Sequence, residues 1–190
     1  MRKLAAVALT SMALTGIVLA EAPAPDPNVA EAKAIIEEFF STLKGELKAA
    51  VTQGGPVNAI TVCQLRAPSI AVELSEKTGW DVGRTSLKVR NASLNAPDAW
   101  ELKVLEQFEV RKAEGEDVKT MAYSEVVEED GKQTFRFMKA VPTGKVCLNC
   151  HGTDIKPEVI EALDAAYPQD QARGYELGDI RGAFTLSKSL

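Results

Sequence analysis

Apolar residues repeat at helical spacing in the first part of the chain and alternate at strand spacing further on. Ile35, Ile36, Phe39, Phe40, Leu43 and Leu47 recur on a 3.6-residue period with Glu and Lys between them, which predicts a helix over 29–52. Gly54-Gly55 stops it. Pro56 then occupies a first helical position, and the helix that follows carries Ile60, Cys63 and Ala67 on one face. Pro68 breaks or kinks that helix, and a further turn or two reaches Lys77 before Gly79. Residues 80–88 (WDVGRTSLK) have the β-branched content and the boundaries of a strand. A polar loop over 90–96 leads to Pro97, which starts another helix. Asp98 and Glu101 suit the positive N-terminal end of that helix, and Trp100, Val104, Leu105 and Phe108 form its buried stripe.

The period then changes to two. Residues 119–127 and 132–141 alternate on either side of Glu129-Asp130-Gly131, which predicts a hairpin with Phe135 and Phe137 on one face. Pro157 opens a helix through about Tyr167, and 177–186 reads as a turn into a closing strand. Helices first, then strands with an inserted helix and a strand at the end, give an α+β fold.

The N-terminal pattern is of another kind. Arg2 and Lys3 precede an uncharged apolar run over 4–19, and Val18-Leu19-Ala20 is a small-residue cleavage site followed by Glu21. Residues 1–20 are therefore expected to be a secretory signal peptide, which places the protein in the periplasm or outside the cell. The run of about sixteen residues is short for a membrane span, so an uncleaved anchor is the competing reading. Residues 21–28 (EAPAPDPN) form a proline-rich tether, and 29–190 a single domain. Loss of Arg2 and Lys3 takes the formal charge from −5 to −7. An acidic domain of this kind argues against binding to nucleic acid or to an anionic membrane surface, and no stable membrane insertion is expected after cleavage.

The candidate chemistry lies in Cys147-Leu148-Asn149-Cys150-His151. Two cysteines three apart, with a histidine directly after the second, are the attachment signature of a c-type haem. On one helical turn, positions 147, 150 and 151 fall on one side of the backbone. Both thiols then reach the vinyl groups of one porphyrin as thioethers, and the imidazole reaches the iron as proximal ligand. His151 is the sole histidine of the chain. Two readings compete. Cys63, Cys147, Cys150 and His151 make a complete Cys3His zinc set, although Cys63 lacks the paired spacing of a zinc knuckle. A redox disulfide would need a βαβ context that is not visible.

The position of the motif excludes familiar cytochrome c folds. An ordinary class I cytochrome c is all-helical, carries CxxCH near its N-terminus and takes a downstream methionine, whereas no methionine follows His151. A four-helix cytochrome c′ would not end in a strand. A different resemblance covers residues 30–187. It rests on AITVCQLRAP at 59–68, GWDVGRTSLKVRN at 79–91, NAPDAWE at 95–101, CLNCHG at 147–152 and GDIRGA at 178–183. In their order and spacing these resemble the PAS-like, single-haem exported c-type cytochrome domain family, first described structurally from a cyanobacterium and long catalogued as a domain of unknown function. The resemblance implies a PAS-like antiparallel sheet flanked by N-terminal and inserted helices, with one covalent haem c. It also implies axial ligation of the iron by His151 and Cys63. Members occur alone or as input domains of membrane sensor kinases.

From ligand chemistry alone, the position opposite His151 falls to Cys63, to Met121 or Met138, or to water. A lone cysteine in an oxidising compartment wants a reason, although a free cysteine is also a common small core residue. Arg84, Arg90 and Lys145 are candidate partners for the haem propionates, Arg84 foremost because it lies mid-strand in a family-like stretch. Trp80, Trp100, Phe135 and Phe137 are candidates for the haem pocket or for the ordinary core. The expected function is redox or haem-based sensing, with one-electron transfer as the alternative. No enzymatic activity is expected, since a peroxidase would need distal acid–base residues and the chain has no second histidine. The partner is a redox or signalling protein that the sequence does not identify.

Overall fold

The computed structural model describes residues 26–129 and 131–190. The predicted signal peptide and residues 21–25 of the tether lie outside the described residues. The first helix, α1 (Pro27–Thr61), begins two residues earlier than its periodicity suggests. Asp26 caps it by accepting from the Asn28 N–H at 2.8 Å, and Pro27 takes the first helical position, where no N–H is needed. Gly54 (φ −147°) and Gly55 (φ 72°) interrupt α1 where the glycine pair predicts a stop, and Pro56 restarts it.

The chain continues without a break through a π-turn (Val62–Arg66) into α2 (Ala67–Thr78), then β1 (Asp81–Thr85). The strand expected over 80–88 is thus shorter, and the loop expected over 90–96 contains a single helical turn, α3 (Ala92–Asn95). Next comes α4 (Ala99–Ala113), whose N-terminus is closed by a capping box. Asp98 accepts from the Glu101 N–H at 2.8 Å, and the Glu101 carboxylate accepts from the Asp98 N–H at 3.0 Å. The hairpin is β2 (Ala122–Glu129) and β3 (Lys132–Pro142); Asp130 of its predicted turn lies outside the described residues. A 3₁₀ turn (Lys145–Cys147), α5 (Leu148–His151), α6 (Pro157–Ala166) and β4 (Ile180–Ser189) complete the chain.

The four strands form one antiparallel sheet in the order β1-β4-β3-β2. Both faces of the sheet are covered, which explains the mixed burial along β3. Phe135 and Phe137 face α1 and α2 together with Phe184, Leu186, Phe39, Ile35 and Trp80. Met138 and Ala140 face the other way, against Val104, Leu105 and Phe108 of α4. Trp80, Phe135 and Phe137 are therefore core residues, and Trp100 packs on the α4 side. Burying one such large side chain contributes about 1.5–3 kcal/mol. A third cluster, Ile60, Val159, Leu163 and Tyr167 with Cys150 packed on it, seats the CxxCH turn on α1 and α6.

One strand contact is unusually close. A Cβ added at Gly182 would stand 2.4 Å from the Thr85 carbonyl oxygen and 3.0 Å from Ser86 Cβ. Gly182→Ala must therefore push β4 away from β1 and is expected to cost about 1–3 kcal/mol of stability, read by chemical denaturation. A variant as stable as the parent would refute this contact.

Candidate functional site

Cys63 sits in the π-turn, and Pro68 is the local disturbance behind it. Pro68 has no N–H to give the carbonyl four residues earlier, and its ring crowds that carbonyl. The helix widens by one residue, so that the Ala67 N–H bonds the Val62 carbonyl, and it then continues. Such bulges change the direction of one side chain without ending the helix. Gln64 ties the turn to α6, its Nε2 donating to the Ala166 carbonyl at 3.3 Å. The Cys63 thiol is half-buried. Burial pushes its pKa up, and the positive fields of Arg84, Arg90 and Arg181 pull against that rise.

The CxxCH segment forms a 3₁₀ turn running into α5, so Cys147, Cys150 and His151 share one helical turn. All three cysteines are free thiols. The Gly152 N–H bonds the Leu148 carbonyl at 3.0 Å, and a Cβ at Gly152 would stand 2.6 Å from that oxygen. Residues 172–175 brace the segment from the other side. The Tyr175 N–H donates to the His151 carbonyl at 2.9 Å, and the Gly174 N–H to the Gly152 carbonyl at 3.0 Å.

His151 is held as a neutral imidazole. Burial, then the Arg181 and Arg90 cations, push its pKa well below the usual histidine value. Its Nδ1 lies 2.7 Å from the Ala172 carbonyl oxygen. A carbonyl only accepts, so Nδ1 carries the proton and Nε2 keeps the lone pair. Arg181 Nε lies 3.1 Å from Nδ1 and 3.4 Å from Nε2; with Nδ1 donating, only the Nε2 contact is a hydrogen bond. Arg90 Nη1 approaches Nε2 at 3.5 Å. A neutral ring with its far nitrogen tied to a carbonyl is the form in which histidine binds a metal.

The arginines divide into two groups. Arg90 is committed to the protein. Its Nε donates to Asp170 Oδ1 at 3.0 Å, and its Nη2 to the Cys150 carbonyl at 2.6 Å and the Ala172 carbonyl at 3.2 Å. Burial pushes the Asp170 carboxyl up, but hydrogen bonds from Arg90, the Ala172 N–H and Arg173 outweigh this and hold it below the usual carboxylate range. Arg84 and Arg181 are uncommitted by comparison. Arg84 stacks on Phe39 at 5.3 Å, and the fields of Cys63 and Tyr167 raise its pKa against the larger lowering by burial. Arg181 stacks on Tyr175 at 5.4 Å and donates to Ser86 Oγ at 3.2 Å. Burial lowers the pKa of both. Arg90 lies over the Tyr167 ring at 6.0 Å, and the Tyr167 hydroxyl is pushed up to about 12 by burial and then by Cys63.

The donor set fits a covalently held haem. Two thiols share a turn with a neutral imidazole whose unprotonated Nε2 meets only the long contacts from Arg181 and Arg90, and Arg84 and Arg181 are half-buried cations suited to carboxylates. Lys145 is exposed at the start of the 3₁₀ turn that carries Cys147. Met121 and Met138 are fully buried in the α4 cluster, whereas Arg84 stacks on Phe39 on the α1 side of the sheet. Among the described residues no three His, Cys, Asp or Glu side chains converge on a metal position.

Arg181, Asp170, Ala172 and Tyr175 were not candidates from sequence. The usable signal for Arg181 was its place between Gly178 and Gly182. The β3–β4 register slips between Val141 (opposite Gly182) and Pro142 (opposite Ile180), leaving Arg181 as the bulged residue that turns towards His151.

The family model described as Tll0287-like matches residues 19–189. Among solved structures, the crystal structure of the cyanobacterial heme-protein Tll0287 aligns with a TM-score of 0.65 at 20% identity, over 86% of this chain and 96% of that one. That likeness shows a shared fold. No curated protein matches.

Proposed function

The chain belongs to the Tll0287-like family, and on that premise we propose that it is an exported mono-haem c-type cytochrome acting in redox or haem-based sensing. Cys147 and Cys150 would form the thioethers, and His151 Nε2 and Cys63 would be the protein's two ligands to the iron. Arg84 and Arg181 take the propionates. The observation that carries this reading is the fixed tautomer of His151, with Nδ1–H on the Ala172 carbonyl at 2.7 Å beside two thiols at attachment spacing. The likeness in fold to a structure described as a heme-protein supports it.

Bound haem would supply a one-electron iron centre, and the protein's own groups decide its character. A thiolate donates charge and stabilises the ferric form, so the potential lies well below that of Met/His cytochromes. Burial is the larger effect on Cys63 and raises its pKa, and the arginine fields pull back towards the charged form that iron would stabilise. With haem bound, a thiolate at Cys63 would suit ferric iron better than ferrous iron, which is why sensing is preferred. The antiparallel sheet between two helical layers supports a PAS-like sensor. The acidic charge of the mature chain favours a second reading, an electron carrier docking on a basic partner. We propose no enzymatic activity.

The test is direct. The full chain, exported in a host competent for cytochrome c assembly, is expected to be red, with a pyridine haemochrome spectrum of haem c. On reduction the six-coordinate ferric spectrum should give way to one without thiolate. A colourless product would sink the reading, and retention of both ligands with fast electron exchange would favour the carrier.

A further inference from the structure

We propose that Arg90 and Asp170 form an opposed-charge positioning pair that sets how strongly the His151 imidazole donates to iron, acting through the Ala172 carbonyl. This rests on the reading of His151 as an iron ligand.

The geometry is a shared acceptor. The Ala172 oxygen accepts from His151 Nδ1 at 2.7 Å and from Arg90 Nη2 at 3.2 Å. A carbonyl that serves two donors is less available to each. The hydrogen bond at Nδ1 sets the basicity of the ring and hence the electron density at Nε2. Asp170 acts on the same peptide from its other end. Its Oδ1 accepts from the Ala172 N–H at 2.9 Å and from Arg90 Nε at 3.0 Å. Arg90 also holds the Cys150 carbonyl at 2.6 Å. One guanidinium therefore joins the attachment turn, the carbonyl that orients the imidazole and the carboxylate that compensates its charge. Arginine suits this because its donors lie in a fixed plane. With Arg90 at 9% and Asp170 at 1% side-chain exposure, solvent screens their fields only weakly.

The two members act with opposite sign. Loss of Arg90 frees the Ala172 carbonyl for a stronger bond from His151 and removes a buried positive charge. Both changes favour ferric iron and lower the midpoint potential. Loss of the Asp170 charge leaves Arg90 less compensated and raises the potential.

The experiment is a potentiometric titration of the full haem-loaded chain as parent, Arg90→Gln, Arg90→Lys, Asp170→Asn and Arg173→Gln. Arg90→Gln is expected to shift the oxidised-to-reduced ratio about tenfold towards oxidised, a fall of about 59 mV for one electron. Asp170→Asn should shift it about tenfold the other way. Arg90→Lys keeps the charge without the planar donors and should fall between parent and Arg90→Gln. Arg173→Gln is the charge control, since Arg173 donates to Asp170 Oδ2 at 2.9 Å and its side chain has no bond to the Ala172 carbonyl. It should move the potential by less than half as much. Should Arg90→Gln fail to mature, Arg90→Lys below parent and Asp170→Asn above it carry the comparison. Shifts of the same sign for Arg90 and Asp170 variants, no shift in either, or an Arg173→Gln effect equal to that of Arg90→Gln would overturn the proposal. A colourless parent would instead remove the haem reading on which it rests.

Discussion

Cys147→Ala/Cys150→Ala is expected to lose covalent haem completely. The denatured polypeptide should show no haem stain, and acid–acetone should extract whatever haem remains. The reason is stoichiometric, since each thiol forms one thioether and the only other cysteine, Cys63, lies on the π-turn between α1 and α2. Either single variant should keep one thioether and a weakened stain. The loss should extend to stability. Cys150 packs on the cluster of Ile60, Val159, Leu163 and Tyr167, so its turn joins the attachment site to the core. A double variant that still carries haem through denaturation would overturn the attachment assignment.

The second large effect is expected at Cys63. Cys63→Ser removes the thiolate and leaves a hydroxyl, a far weaker donor to ferric iron. The ferric spectrum should lose its thiolate character, and the midpoint potential should rise by roughly 0.1 V or more, within the ≈ 0.8 V over which axial ligands set haem potentials. The fold should tolerate the change, because Cys63 is only half-buried and serine is nearly isosteric. Unchanged spectrum and potential would rule Cys63 out. Met121 and Met138 are not expected to substitute, since both are fully buried under α4.

Local features were legible in the sequence, and those assembled across the chain were not. The helix carrying Ile35, Ile36 and Phe39 announced itself because one face must be apolar at every turn. The hairpin did so because β2 and β3 alternate. CxxCH was legible because its three reactive groups lie within five residues. Pro68 was legible as a disturbance. Its resolution as a π-turn that keeps the helix running depends on how the flanking helices pack, including the tie from Gln64 to Ala166. Asp170 could not be recognised, because its partner Arg90 lies on a loop far upstream and the pair exists only after folding. Arg84, Arg90 and Lys145 form one group by residue type. Contacts separate the two arginines into a committed cation and a less committed one, with Arg181 joining Arg84 through a register slip that no local pattern encodes.

The strand order also imposes a timetable. The last strand in sequence, β4, lies between β1 and β3, and among the described residues β1 has no other neighbour in the sheet. During synthesis or translocation from the N-terminus, the sheet cannot close until residues 180–189 emerge. Residues 147–151 emerge earlier, before Arg181 and the 170–175 segment arrive to enclose them. On the proposed haem reading, the Cys147 and Cys150 thiols thus pass through a window in which they are open to a modifying enzyme. Arrival of the final strand ends that window, so the topology orders chemical maturation before structural closure.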